Sequence, residues 1–236
     1  MRARWTARVM ALAALVTGLG TAALAQTAAK APVPAPAAPE WNQATVTREP
    51  GSEFDPKQLD LIQKLTTYFN QMGDMKGEFH QTSPDGKRLR GRIYVKRPSF
   101  FRFEYRRPSR QVIISDSKSM IIQDLDLKTE DRWGLDRTPF RIVLRKDVDL
   151  LRDSKILEVA ENDDRVHIVL QDKSPDTAGR LKLLFASKPE LELKEWTTTD
   201  SQGLDTRVEL FEFSKADDLD PKLFEPTPVF LEKLQK

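Results

Sequence analysis

Cysteine is absent from the 236-residue chain, and histidine occurs only twice, at His80 and His167. The first absence excludes disulfides, thiolate zinc sites, iron–sulfur ligation, a thiol nucleophile and a lipid-modified cysteine anchor. The second leaves too few imidazoles for a multi-histidine metal centre. Signatures of common catalytic loops are missing too: there is no G-x-S-x-G elbow, P-loop, G-x-G-x-x-G or H-E-x-x-H. No 18-residue apolar stretch is available to span a bilayer. What is present is enough material for a core, with 39% hydrophobic residues against 31% charged.

Arg2, Arg4 and Arg8 precede the apolar run 9–16 (VMALAALV), and Ala23-Leu24-Ala25 offers an A-x-A cleavage site before Gln26. Residues 1–25 therefore read as a cleavable export signal rather than a retained anchor. Removing them takes three of 38 basic residues and none of 36 acidic ones, so the formal charge goes from +2 to −1. That balance gives no case for nucleic acid. Residues 26–51 are rich in Ala and Pro without an apolar period, which predicts a flexible linker. The folded domain is expected over 52–236.

Asp55-Pro56 sets a helix start, with Asp as N-cap, Pro at the first helical position and Gln58 placed as in a capping box. Leu59, Ile62, Leu65, Phe69 and Met72 follow at spacings of three and four, predicting one amphipathic helix that ends near Gly73. From Lys76 the period becomes two. Ile93 and Val95 share a face, as do Phe101, Phe103 and Tyr105, then Val166, Ile168 and Leu170, then Leu181, Leu183 and Phe185, then Leu191 and Leu193. Turn signals at Pro84-Asp85-Gly86, Asn162-Asp163-Asp164, Ser174-Pro175-Asp176 and 200–203 make these strands antiparallel neighbours. In Val208 to Phe213 the phase slips, which predicts a β-bulge. A second helix is expected from Thr138-Pro139, with Phe140, Val143, Leu144, Val148 and Leu151 on one side. The expectation is an α+β fold: one large twisted sheet with two helices on its apolar face.

His167 lies mid-strand with period-two polarity, which points its ring to solvent. His80 follows Phe79 near a hairpin and could act as a general base, yet spacing puts no nucleophile beside it. Asp124 and Asp126 have only the spacing that loop carboxylates commonly show. No catalytic residue, metal ligand or cofactor is assigned. The aromatic stripe Phe101, Phe103, Tyr105 has two readings that periodicity does not separate: solid core, or the wall of a cavity that a curled sheet and movable helices enclose.

Several blocks then carry a resemblance. Gly91-Arg92-Ile93-Tyr94-Val95-Lys96-Arg97-Pro98-Ser99-Phe100-Phe101-Arg102-Phe103-Glu104-Tyr105, Ile114-Ser115-Asp116-Ser117-Lys118, Thr138-Pro139-Phe140 and Phe224-Glu225-Pro226-Thr227-Pro228 are similar in order and spacing to the outer-membrane lipoprotein carrier family, LolA. The similarity runs from about Asp55 onward. Two departures stand out: Ser117 replaces a family Gly at the turn, and 120–125 (MIIQDL) replaces an aromatic and Tyr-x-Pro pattern.

The resemblance implies an unclosed half-barrel of one curved antiparallel sheet under a lid of amphipathic helices. It implies a periplasmic protein that takes acylated lipoproteins from an inner-membrane lipoprotein-releasing ABC transporter, shields their acyl chains, and hands them to the outer membrane. An outer-membrane acceptor lipoprotein and a monomeric state belong to the same expectation, and no enzyme activity does. By this resemblance Ile93, Val95, Phe101, Phe103, Tyr105, Leu181, Leu183 and Phe185 line the acyl-chain cavity. Pro139, Phe140, Val143 and Leu144 form the lid, and Arg97 latches it. Three acyl chains of about fifteen methylenes each carry on the order of 36 kcal/mol of hydrophobic cost in water, at about 0.8 kcal/mol per methylene. Two other functions stay open at this point: a periplasmic lipoprotein-sensing regulator of related half-barrel fold, and a secreted lipid hydrolase. An outer-membrane receptor of the same fold carries a lipidated cysteine after its signal, and this sequence has none.

Overall fold

The Asp55 carboxylate accepts from the Gln58 N–H at 2.9 Å, and the Gln58 side chain accepts from the Asp55 N–H at 3.1 Å. This reciprocal capping box starts α1, Pro56–Gln71. The structure, a computed structural model, describes residues 54–177 and 179–228. The export signal and linker expected at 1–25 and 26–51 lie outside them. All described residues fall in one compact unit, Thr45–Lys236.

α1 buries Leu61, Ile62, Leu65 and Phe69, whereas Leu59 is 43% exposed. The buried stripe is thus rotated from the expected one, because the flank that carries Leu61 packs on the sheet.

Eleven strands follow. β1 (Met75–Thr82), β2 (Arg88–Lys96), β3 (Phe100–Tyr105), β4 (Gln111–Asp116), β5 (Ser119–Asp124) and β6 (Thr129–Gly134) form one antiparallel meander. β7 (Ser154–Asn162), β8 (Arg165–Asp172), β9 (Arg180–Ala186), β10 (Glu192–Thr199) and β11 (Asp205–Lys215) form another. The order β6-β5-β4-β3-β2-β1-β11-β10-β9-β8-β7 fuses them through β1 and β11. β6 and β7 remain as edges, so the expected unclosed sheet is found.

Opposite Gly77 the β1–β11 register slips: Lys76 pairs with Ser214 and Glu78 with Phe211, so Glu212 and Phe213 face one residue. Glu212 takes φ 50°, and a Cβ on Gly77 would meet Phe211 O and Phe213 Cα at 2.9 Å. This is the bulge expected from the phase slip. It turns Phe213 inward and leaves Phe211 outside. At the β4–β5 turn Ser117 adopts φ 76°, the left-handed geometry that glycine would take without strain. Asp116 Oδ1 compensates by accepting from the N–H groups of Lys118 (3.0 Å) and Ser119 (2.7 Å).

Residues 135–153 carry the chain from edge β6 to edge β7. The single helix expected there is instead three short pieces: a 3-10 turn at Leu135–Arg137, α2 at Arg141–Leu144 and α3 at Leu150–Asp153. Arg145 is extended (ψ 154°), and Asp149 caps a fresh start by accepting from the Arg152 N–H at 3.0 Å. Leu151, expected on the buried side, is 46% exposed as a result.

The apolar sheet face, α1 and the crossing segment share one large core. On the opposite face Val112 and Ile114 pack with Leu219 and Phe224 of the segment after β11. His167 is also corrected: it is 5% exposed, with Nε2 2.7 Å from Glu158 Oε1. Its strand is paired on both sides, with Ala160 and Leu184 as register partners, so neighbours cover the outward face as well.

Candidate functional site

The register of β2 on β3 pairs Ile93 with Phe103 and Val95 with Phe101, which stands four apolar side chains together. Leu183 of β9, Leu193 and Trp196 of β10 and Phe213 of β11 supply the opposite flank. Phe69 of α1 and Met72 just after it close one side, and Phe140, Val143 and Leu144 of the crossing segment form the roof. Together these thirteen side chains line an apolar cavity of about 70 Å³.

Aromatic rings dominate the wall, edge to face: Phe101–Phe103 at 5.7 Å, Phe103–Trp196 at 5.9 Å and Phe140–Trp196 at 6.0 Å between centroids. The roof and the sheet are therefore in direct ring contact. No lining side chain is an acid, base or nucleophile, so the site can bind apolar matter but holds no group for bond chemistry.

Four fastenings hold the roof. The Arg97 guanidinium donates from Nη1 to Val143 O at 2.8 Å and from Nη2 to Arg145 O. Burial lowers its pKa from the usual arginine value. Ser99 adds its N–H (3.0 Å) and its Oγ (3.2 Å), both donated to Leu144 O. Farther along, Asn70 of α1 donates to Val148 O at 2.8 Å and accepts from the Val148 N–H at 2.9 Å. Arg141 makes a two-pronged ion pair with the buried Asp172 carboxylate at the end of β8, at 2.5 and 2.6 Å. Burial pushes the Asp172 pKa up, but hydrogen bonds from Arg141 and the Ser174 N–H outweigh it, and the net direction is downward.

Of the residues expected to line a cavity, Ile93, Val95, Phe101, Phe103 and Leu183 do so. Tyr105, Leu181 and Phe185 share the buried face without reaching the cavity. Tyr105 packs on Phe79 at 5.0 Å and donates to Gln81 Oε1 at 2.6 Å, and Phe185 is wedged between Tyr68 and Phe69. Phe140, Val143 and Leu144 roof the cavity, whereas Pro139 stands outside it. Phe69, Met72, Leu193, Trp196 and Phe213 also line it, beyond the residues that the resemblance implies. For two of them the signal was hidden by bulges: the shift at Leu193/Glu195 puts residues three apart on one face, and Phe213 follows the Gly77 bulge.

The other candidates are placed away from the cavity. His80 stacks on Phe211 at 4.5 Å on the outward face of the sheet. Asp124 caps the β5–β6 turn by accepting from the Asp126 and Leu127 N–H groups, and Asp126 pairs with Arg110. Among the described residues no group of acids and histidines is arranged to hold a metal ion, and no helix is long and apolar enough to cross a membrane.

The family model described as "Outer membrane lipoprotein carrier protein LolA" matches residues 70–227. An outer-membrane lipoprotein carrier protein of Pseudomonas paraeruginosa is 28% identical over 173 residues, covering 69% of this chain and 81% of that protein. A protein of the same name from Legionella pneumophila is 27% identical over 188 residues, covering 78% and 88%. Among solved structures, a LolA superfamily protein of Nitrosomonas europaea aligns with a TM-score of 0.41 at 10% identity, over 70% of this chain and 97% of that one.

Proposed function

Because this chain belongs to the outer membrane lipoprotein carrier (LolA) family, we propose that it works in the periplasm as a carrier of acylated lipoproteins. It takes them from an inner-membrane releasing transporter and delivers them to the outer membrane or to an acceptor lipoprotein there. The observation that carries this reading is the wholly apolar cavity beneath a roof held to the sheet largely by main-chain carbonyls.

The magnitudes support an opening roof. Arg97 and Ser99 contribute four hydrogen bonds at about 1 kcal/mol net apiece. Cargo with three acyl chains offers on the order of 36 kcal/mol of hydrophobic transfer. Burying even one chain therefore outweighs the fastenings, and the acyl chains displace Phe140, Val143 and Leu144 to enter. Reclosing returns a few kcal/mol, which favours release once an acceptor supplies an apolar surface of its own. A lipid hydrolase would need a nucleophile and a base beside the apolar wall, and the lining supplies neither.

The test is to purify the protein from the periplasm of its host and examine it by intact mass spectrometry. Co-purifying triacylated lipoprotein in a one-to-one complex is expected. Recovery of the chain always free of acylated protein, while its transporter is active, would sink the proposal.

A further inference from the structure

The outward face of β2 carries a concentration of charge that the cavity does not use. Arg88, Arg90 and Arg92 alternate with inward-facing residues and are all exposed. Alternate residues on a strand lie about 7 Å apart, within the Debye length of about 8 Å at physiological salt, so their potentials add. The Arg106 N–H donates to Arg90 O at 2.8 Å, which sets the β3–β4 turn alongside and adds exposed Arg106 and Arg107.

Part of this charge is answered. Arg106 pairs with Glu78, and Arg92 stands beside Glu78 and Glu104 in the sheet register. Among the described residues Arg88, Arg90 and Arg107 have no salt-bridge partner. The neighbouring β5–β6 turn is tied to the same end of the sheet through Leu125 N–H to Arg110 O, at 3.1 Å, and it projects Leu127, 68% exposed.

From these residues we infer that the β2 face and its adjoining turns dock on an anionic phospholipid bilayer. Guanidinium forks match phosphate oxygens, and a row of unanswered arginines beside a projecting leucine is the composition that binds a membrane surface. The overall charge, +2 for the chain, is too small to produce the effect without this local concentration. The inference goes beyond lipoprotein carriage and does not depend on the cavity.

Co-sedimentation of the full chain with phosphatidylcholine vesicles, with and without phosphatidylglycerol, tests it. Binding is expected only to the vesicles containing phosphatidylglycerol and weakens as salt is raised. Each basic residue contributes about five-fold to such partitioning, so the triple variant Arg88→Gln, Arg90→Gln, Arg107→Gln should lose on the order of a hundred-fold. The corresponding triple Arg→Lys variant should stay within a few-fold of wild type, which separates charge from folding. All variants share one N-terminal segment, so the apolar run 9–16 contributes equally to each. Wild-type protein that ignores phosphatidylglycerol, or a triple Gln variant that sediments like wild type, would overturn the inference. Lipoprotein loading measured on the same samples reports on the cavity, and is expected to be equal in wild type and variants.

Discussion

At Arg97 one side chain spans the gap between sheet and roof, and its partners are carbonyls of the main chain, Val143 O and Arg145 O. The contact needs a fixed fork of donors but no particular lid side chain, so lysine is a poor substitute. Replacing it by leucine removes about 2 kcal/mol from the closed state, which moves the closed-to-open ratio about thirty-fold. Arg97→Leu is expected to load lipoprotein as well as wild type and to retain it, since closure then returns less free energy on release. Quantifying loaded carrier after mixing with outer-membrane acceptor checks this. Wild-type handover by the variant would remove Arg97 from the release step.

The crossing segment is an element built from short turns and held from outside. Its pieces are too short to be stable helices alone, so its position depends on Arg97, Ser99, Asn70 and the Arg141–Asp172 pair. The last is the most strongly desolvated: the Asp172 carboxylate is fully buried, and Arg141 is about one-third exposed. Removing the carboxylate leaves a partly buried guanidinium without its counter-charge, at a cost near the lower end of about 3–5 kcal/mol. Because the folded pKa of Asp172 lies below the usual 3.8, the pair stabilises the fold above that value. This contribution disappears as pH falls through the lowered folded pKa. Asp172→Asn should therefore be less stable than wild type in urea unfolding at pH 7, with the difference shrinking toward pH 3. A difference that does not change with pH would assign the effect to packing instead.

At the scale of the molecule, a single open sheet solves two problems together. Its two meanders, joined through β1 and β11, curl one apolar face around a space that a segment strung between the free edges can cover. The cavity it leaves, about 70 Å³ and lined only by apolar side chains, is small beside the core that surrounds it. Loading then has a local signature. Amide exchange is expected to speed up at residues 97–99 and 140–148 when an acylated lipoprotein is bound. The paired interior of β8 and β9, around Ile168 and Leu181, should stay protected. Uniform exchange across both regions, loaded and empty, would mean that the roof does not move.

How much of this was legible in the sequence follows from where the physics is local. The capping box at Asp55, the alternation in β2, β3, β8 and β9, and the phase slip before Phe213 are set by nearest neighbours along the chain, and they yielded the sheet and its apolar face. β6, with no apolar alternation in TEDRWG, left no such signal because an exposed edge strand buries almost nothing. Trp196 and Phe213 reached the cavity only because register shifts turned them, and register is fixed by pairing between distant strands. The roof was read as one helix for the same reason: the carbonyls that would have continued it are claimed by Arg97 and Ser99, more than forty residues earlier. Chain-local spacing thus determined which faces are apolar. Only tertiary structure decided which of those side chains pack solid and which stand around an open space, because that depends on groups far apart in sequence meeting in three dimensions.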